Sequence, residues 1–151
     1  MNETRHSAAC VIFEEKIVVC DGCGYNGNSL NTVESYDVKP DKWSPMPNMN
    51  SAKYNHSLVV VKKKLFAISE RADTCEVFDN VCKKFVIMKS PALGWLETIR
   101  SYSIANNIYV FLGNISKVHV YDTDKNEWSE ESCEVTKNSN NFSYVKVPCL
   151  Y

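Results

Sequence analysis

Three sets of side chains in the chain could do chemistry. Cys20 and Cys23 stand at the C-x-x-C spacing of half a zinc site, and Cys75 and Cys82 are seven residues apart. A structural zinc needs four ligands and no second close pair follows, so these read as buried or turn thiols and no metal is expected. His6, His56 and His119 could transfer protons, yet His6 and His56 each stand just before an apolar run and His119 lies within one. Repeated structure accounts for them. Asp37, Asp79 and Asp122 form an acidic series that looks catalytic until their shared context is noticed: each follows an aromatic residue and precedes turn-forming residues. Aspartate starts such turns by accepting hydrogen bonds from the backbone just beyond it. The sequence contains no Gly-rich phosphate loop and no nucleophile elbow, so an enzyme is disfavoured and no cofactor is expected.

Those residues must be positioned by one core, since 151 residues make a single domain. Hydrophobic residues are 44%, aromatics 11% and charged residues 23%, which is ordinary globular usage. With 17 Lys and Arg against 18 Asp and Glu, the net charge of -1 gives no footprint for a polyphosphate, so no nucleic-acid partner is expected. Apolar runs such as 58–61 and 108–112 are far short of a spanning helix, so no membrane partner is expected. The amino end, Met1 to Ser7, has no apolar h-region after a basic start as a secretory signal would, which points to a cytoplasmic protein. The seven cysteines, an odd number, then read as reduced thiols, and the sequons at Asn2, Asn55, Asn114 and Asn141 as chance.

A repeat decides the fold class. An aromatic-Asp pair occurs at Tyr36-Asp37, Phe78-Asp79 and Tyr121-Asp122, and seven residues after each first aromatic comes another, Trp43, Phe85 and Trp128. The units recur at 42 and 43 residues. Upstream of each pair lies a short apolar segment rich in β-branched or aromatic residues (17–20, 65–68, 108–112), preceded by a polar turn and another apolar run (8–13, 58–61, 102–105). The polar turns are Glu14-Glu15-Lys16, Lys62-Lys63-Lys64 and Asn106-Asn107. Each unit therefore reads as four antiparallel strands, A to D, with the aromatic-Asp pair on C and the later aromatic on D. Such a unit is one propeller blade, and its large rings fill the gap between neighbours. The fold class is all-β, with blades at about 5–49, 55–91 and 100–132 and a closing strand at about 142–148.

The pattern resembles kelch repeats. The run from Arg5 to Gly22, then Asn31-Thr32-Val33-Glu34-Ser35-Tyr36-Asp37, Trp43 and Met46-Pro47, is similar to the BTB-kelch proteins in particular, and the ending 142–148 is similar to the way insect kelch-like chains finish. The chain departs from the family at the double glycine closing strand B, which here reads Asp21-Gly22, Ser69-Glu70 and Leu112-Gly113, and at Phe85, where a tryptophan is usual. Three units fall short of the 4–8 blades of closed propellers. The resemblance implies that 142–147 is the innermost strand of the first blade, pairing upstream of Met1, and that the chain is the carboxyl-terminal part of a longer protein. Alone, such an arc is expected to self-associate or misfold.

The resemblance also implies a function. A BTB-kelch protein is a substrate receptor of a cullin-RING ubiquitin ligase: the propeller holds a segment of the target protein, and a BTB domain, missing here, holds the cullin. The alternative is a structural kelch protein that binds actin. Partner peptides in the family meet the B–C loops and the starts of the A strands. Carried over by position, the binding residues are Tyr25, Asn26 and Asn28 in the long first loop, Arg71 in the second, Asn114 and Lys117 in the third, and Asn55, His56 and Arg100 before A strands. The first loop mixes glycine, asparagine and tyrosine as paratopes do. Trp95 has no counterpart in the other units and is either a filler between blades or a contact residue.

Overall fold

The computed structural model describes residues 1–53, 56–69, 75–89, 99–112 and 117–132, together with two later strands. In chain order the strands are β1 (Arg5–His6), β2 (Ala9–Phe13), β3 (Lys16–Cys20), β4 (Cys23–Gly24), β5 (Val33–Asp37) and β6 (Lys42–Met46). The second unit holds β7 (His56–Val61), β8 (Lys64–Ser69), β9 (Glu76–Asp79) and β10 (Lys84–Ile87). The third holds β11 (Ile99–Ile104), β12 (Asn107–Leu112), β13 (Lys117–Asp122) and β14 (Glu127–Ser132), followed by β15 (Glu134–Lys137) and β16 (Ser143–Lys146). Three antiparallel four-stranded sheets result, β2-β3-β5-β6, β7-β8-β9-β10 and β11-β12-β13-β14, each the expected A-to-D meander. No helix among the described residues is long and apolar enough to cross a membrane.

Register explains the spacing of seven. Asp37 pairs with Lys42, Asp79 with Lys84 and Asp122 with Glu127, so each C–D connection has four residues. One step back along the ladder, Tyr36 faces Trp43, Phe78 faces Phe85 and Tyr121 faces Trp128. Their ring centroids lie 5.0, 5.1 and 5.0 Å apart. The last loop residue takes positive φ each time, at Asp41, Lys83 and Asn126. The aspartates cap these turns: Asp37 Oδ1 accepts from Lys39 N (3.2 Å), Asp79 Oδ1 from Val81 N (2.8 Å) and Cys82 N (2.9 Å), and Asp122 Oδ1 from Asp124 N (2.9 Å) and Lys125 N (3.1 Å). The bonds from Cys82 and Val81 hold the Asp79 carboxyl below its ordinary pKa, and those from Lys125 and Asp124 do the same for Asp122. The acidic series is turn chemistry.

The A–B turns differ slightly from expectation. Phe13 pairs with Lys16 and Val61 with Lys64, leaving Glu14-Glu15 and Lys62-Lys63 as two-residue loops with both φ angles positive. That backbone matches the strand twist, and the match outweighs the roughly 1–2 kcal/mol that each left-handed non-glycine residue costs. In the third unit the turn is Ala105-Asn106, because Asn107 already pairs with Ile104. The closing segment Ser143–Lys146 runs antiparallel to Glu134–Lys137.

The sheets stack face to face. Between the first and second lie Phe13, Val18, Cys20, Val33, Leu58, Leu65, Ala67, Phe78 and Phe85. Between the second and third lie Val59, Val61, Phe66, Ile68, Ile99, Ile108, Val110, Leu112 and Tyr121. Each fully buried large side chain contributes about 1.5–3 kcal/mol, so these layers outweigh the turns in holding the blades together. Rings wedge edge-on across each gap, Phe13 against Phe78 at 6.2 Å and Phe66 against Tyr121 at 6.0 Å. Trp128 Nε1 donates to the Lys89 carbonyl at 2.8 Å, tying the third blade to the end of the second. Near the axis, Ser101 Oγ and Ser57 Oγ are 2.7 Å apart and join neighbouring A strands.

Candidate partner-binding site

The loop after β3 begins where the family resemblance leads one to expect two glycines. Asp21 (φ 56°) and Gly22 (φ 91°) keep the left-handed backbone. Aspartate tolerates it. Gly22 has no substitute, because a Cβ there would lie 2.4 Å from the His6 carbonyl oxygen. Beyond it, β4 pairs back onto β1, and the chain turns on bonds from Gly27 N to the Gly24 carbonyl (2.9 Å), Asn28 N to Asn26 Oδ1 (3.1 Å) and Gly24 N to the Asn28 carbonyl (3.0 Å). The far end is fixed twice: Leu30 N donates back to Gly22 O (2.8 Å) within the loop, and Lys53 N, just before the second blade, donates to Leu30 O (3.1 Å). The result is a short finger with an ordered backbone.

Arg5 clamps its base. The buried guanidinium donates through one nitrogen to the carbonyls of Asp21 (3.1 Å) and Thr32 (2.9 Å), which bracket the loop, and through the other to Glu34 Oε1 (3.0 Å) and Glu3 Oε2 (3.3 Å). Glu34 also accepts Asn2 N (2.7 Å) and Glu3 N (3.0 Å), which fixes the incoming chain. Burial raises the Glu34 pKa, but these bonds together with Arg5 outweigh it and leave the carboxyl below its ordinary value. The second blade repeats the device: Lys53 Nζ meets Glu76 Oε1 at 2.7 Å, and Glu76 accepts Asn50 N (2.9 Å) and Ser51 N (3.3 Å). In the third blade the equivalent of Glu34 and Glu76 is His119, two residues before Tyr121.

On this base stand Tyr25, 98% exposed, and the exposed Asn26 and Asn28. Together with Leu30, Gly24 and the amino-terminal residues Asn2, Glu3 and Thr4 they line an open groove of about 620 Å³. Three of the sequence-derived residues thus converge on one surface. Arg100 is exposed on β11, its guanidinium donating to the Ile99 carbonyl at 3.2 Å, and Lys117 is half-exposed at the start of β13, paired with Glu130 at 2.6 Å. Neither lines the groove. His56, expected to face a partner, is instead an interior residue: its side chain is fully buried, with Nε2 at 3.4 Å from Cys20 Sγ. The inward alternation of β7 points it into the layer between the first two blades. Asn55, Arg71, Asn114 and Trp95 lie outside the described residues.

Sequence reasoning missed the two buried ion pairs. Their signal was available: glutamate two residues before each of the first two paired aromatics, and a cation eight residues before the end of each of the first two A strands, Arg5 before Phe13 and Lys53 before Val61.

Residues 4–50 match the Kelch motif. That stretch holds the Arg5 clamp, the finger and the Tyr36–Trp43 stack. Kelch-like protein 7 of Rattus norvegicus and of Mus musculus is 27% identical over 121 residues, which cover 74% of this chain. An F-box/kelch-repeat protein of Arabidopsis thaliana is 29% identical over 137 residues, covering 85% of the chain. The matched regions are only 20% and 33% of those relatives' own lengths. The structure of YjhT is similar with a TM-score of 0.67, over 93% of this chain and 54% of that one, at 12% identity. The fold is that of three blades of a kelch-type β-propeller.

Proposed function

We propose that the chain is a protein-recognition kelch module whose first-blade groove holds a short segment of a target protein. Within a longer polypeptide it serves as the substrate-recognition part of a BTB-kelch adaptor of a cullin-RING ubiquitin ligase in the cytoplasm, the BTB domain holding the cullin. The observation that carries this is Tyr25, an aromatic side chain left open to solvent on a finger whose two ends are bonded to a buried arginine. A rigid, exposed tyrosine binds at low entropic cost, and asparagines beside it supply adaptable hydrogen bonds. Function concentrates on loops held by a rigid scaffold in this way. Ubiquitin transfer belongs to other subunits, so the chain itself needs no nucleophile.

The test is a photo-crosslinking residue placed at Asn28, expressed in cells with the proteasome inhibited. A target crosslinked in the unaltered chain, lost in Tyr25→Ala and longer-lived when the gene is silenced supports the proposal. Co-sedimentation with filamentous actin, unchanged by Tyr25→Ala, would favour the actin-binding reading instead.

A further inference from the structure

Between the first two blades lies a cluster that the groove does not use. Cys20 at the end of β3, Asp21 just after it and His56 at the start of β7 are all buried, and their donor atoms lie within 4.8 Å of one another. His56 Nε2 is 3.4 Å from Cys20 Sγ and 3.5 Å from Asp21 Oδ2. Donors sharing one tetrahedral zinc, with bonds of about 2.3 Å to sulfur and about 2.0 Å to nitrogen and oxygen, are roughly 3.3–3.6 Å apart. Both separations from His56 fall in that range.

A second observation points to a missing partner. Neither carboxylate oxygen of Asp21 has a hydrogen-bond partner, although the side chain is fully buried. Buried carboxylates are otherwise paired or ligated, because leaving one bare costs several kcal/mol. The nearby cations are committed elsewhere, Arg5 to Glu34 and Lys53 to Glu76. An ionised Asp21 would therefore be a surplus negative charge in this interior, and a Cys20 thiolate would add one more. A divalent cation neutralises both.

We propose that Cys20 Sγ, the Asp21 carboxylate and His56 Nε2 form a three-ligand site for a thiophilic divalent ion of the zinc type. Thiolate and imidazole together favour zinc over calcium or magnesium, which take oxygen ligands. Three protein ligands leave one position of a tetrahedral ion for water. The ligands come from two blades, so the ion is a latch across the interface, and binding it stabilises the folded arrangement. The partner of Cys20 is thus His56, 36 residues later, with no role for Cys23 of the C-x-x-C.

The test is a cobalt titration of the chelator-treated, reduced chain. The expected result is one equivalent bound, with a thiolate-to-cobalt charge-transfer band that zinc displaces and a melting temperature that rises with either metal. Cys20→Ser should abolish the band, His56→Gln should weaken binding more than about 100-fold, and Cys23→Ser should change neither. Should Cys20→Ser fail to fold, Asp21→Asn decides, because it removes the bare charge without changing side-chain size and should fold while losing affinity. A chain that shows no such band, a band lost in Cys23→Ser but kept in Cys20→Ser, or an Asp21→Asn chain that binds cobalt as tightly as the unaltered one would overturn the site.

Discussion

Arg5 and Glu34 meet at 3.0 Å in the interior of the first blade, and the arginine reaches from that contact to carbonyls at both ends of the adjoining loop. One side chain thus links the meander to the finger that carries Tyr25. The pairing recurs in the second blade as Lys53 and Glu76. A lysine ammonium lacks the planar fork with which arginine holds several acceptors at once, so the first blade has the stronger clamp.

Replacing Arg5 by methionine should therefore do two things. Leaving Glu34 buried without its partner costs about 3–5 kcal/mol in urea unfolding. Hydrogen exchange should also accelerate at Gly24, Gly27 and Leu30, whose amides are bonded within the finger or at its base, more than at Val110 in the third blade. Arg5→Lys should fall between, retaining the charge without the two-carbonyl grip.

Glu34 gives the first blade an acid limit. Its folded pKa lies below the ordinary value near 4.5, so the unfolded chain takes up the proton first and stability is lost as pH falls through the folded pKa. Glu34→Gln should be less stable than the unaltered chain at pH 7. The gap between them should close on acidification below about 4.5, followed by chemical denaturation at a series of pH values. A gap that stays constant with pH would mean that Glu34 does not act through its charge.

Two glycines of the loop separate steric from conformational demands. At Gly22 a Cβ meets the His6 carbonyl at 2.4 Å, whereas at Gly27, also at positive φ (76°), it meets nothing within 4 Å. Gly27→Ala should cost only about 1–2 kcal/mol for the left-handed backbone. Gly22→Ala should cost clearly more, since β1 must shift as well, and thermal melts of the two variants make the comparison.

Much of this architecture is legible in the sequence because it is periodic. The aromatic interval of seven is a direct consequence of a four-residue hairpin loop, and the polar residues before each B segment mark where A turns into B. The limits of legibility are equally physical. Asn106-Asn107 looks like the better turn, yet ladder pairing of Ile104 with Asn107 moves the turn to Ala105-Asn106. His56 reads as a rim residue from its position before the apolar run, but strand alternation turns it inward, next to Cys20, across a blade boundary that local spacing cannot cross. Tyr25, Asn26 and Asn28 were legible as a group because one loop carries all three. The groove they form with Asn2, Glu3 and Thr4 was not, since it depends on Arg5 and Glu34 drawing the amino-terminal segment against the loop.

The most direct measurement of the central claim is the affinity of the crosslinked target segment, as a labelled peptide, for the unaltered chain, Tyr25→Ala and Lys117→Ala. Tyr25→Ala should weaken binding by about 30-fold or more, the loss typical of a central aromatic contact, while its stability stays within about 0.5 kcal/mol because the side chain is exposed. Lys117→Ala, outside the groove, should change affinity little. Equal affinity for Tyr25→Ala and the unaltered chain would contradict the assignment of the first-blade finger as the binding element.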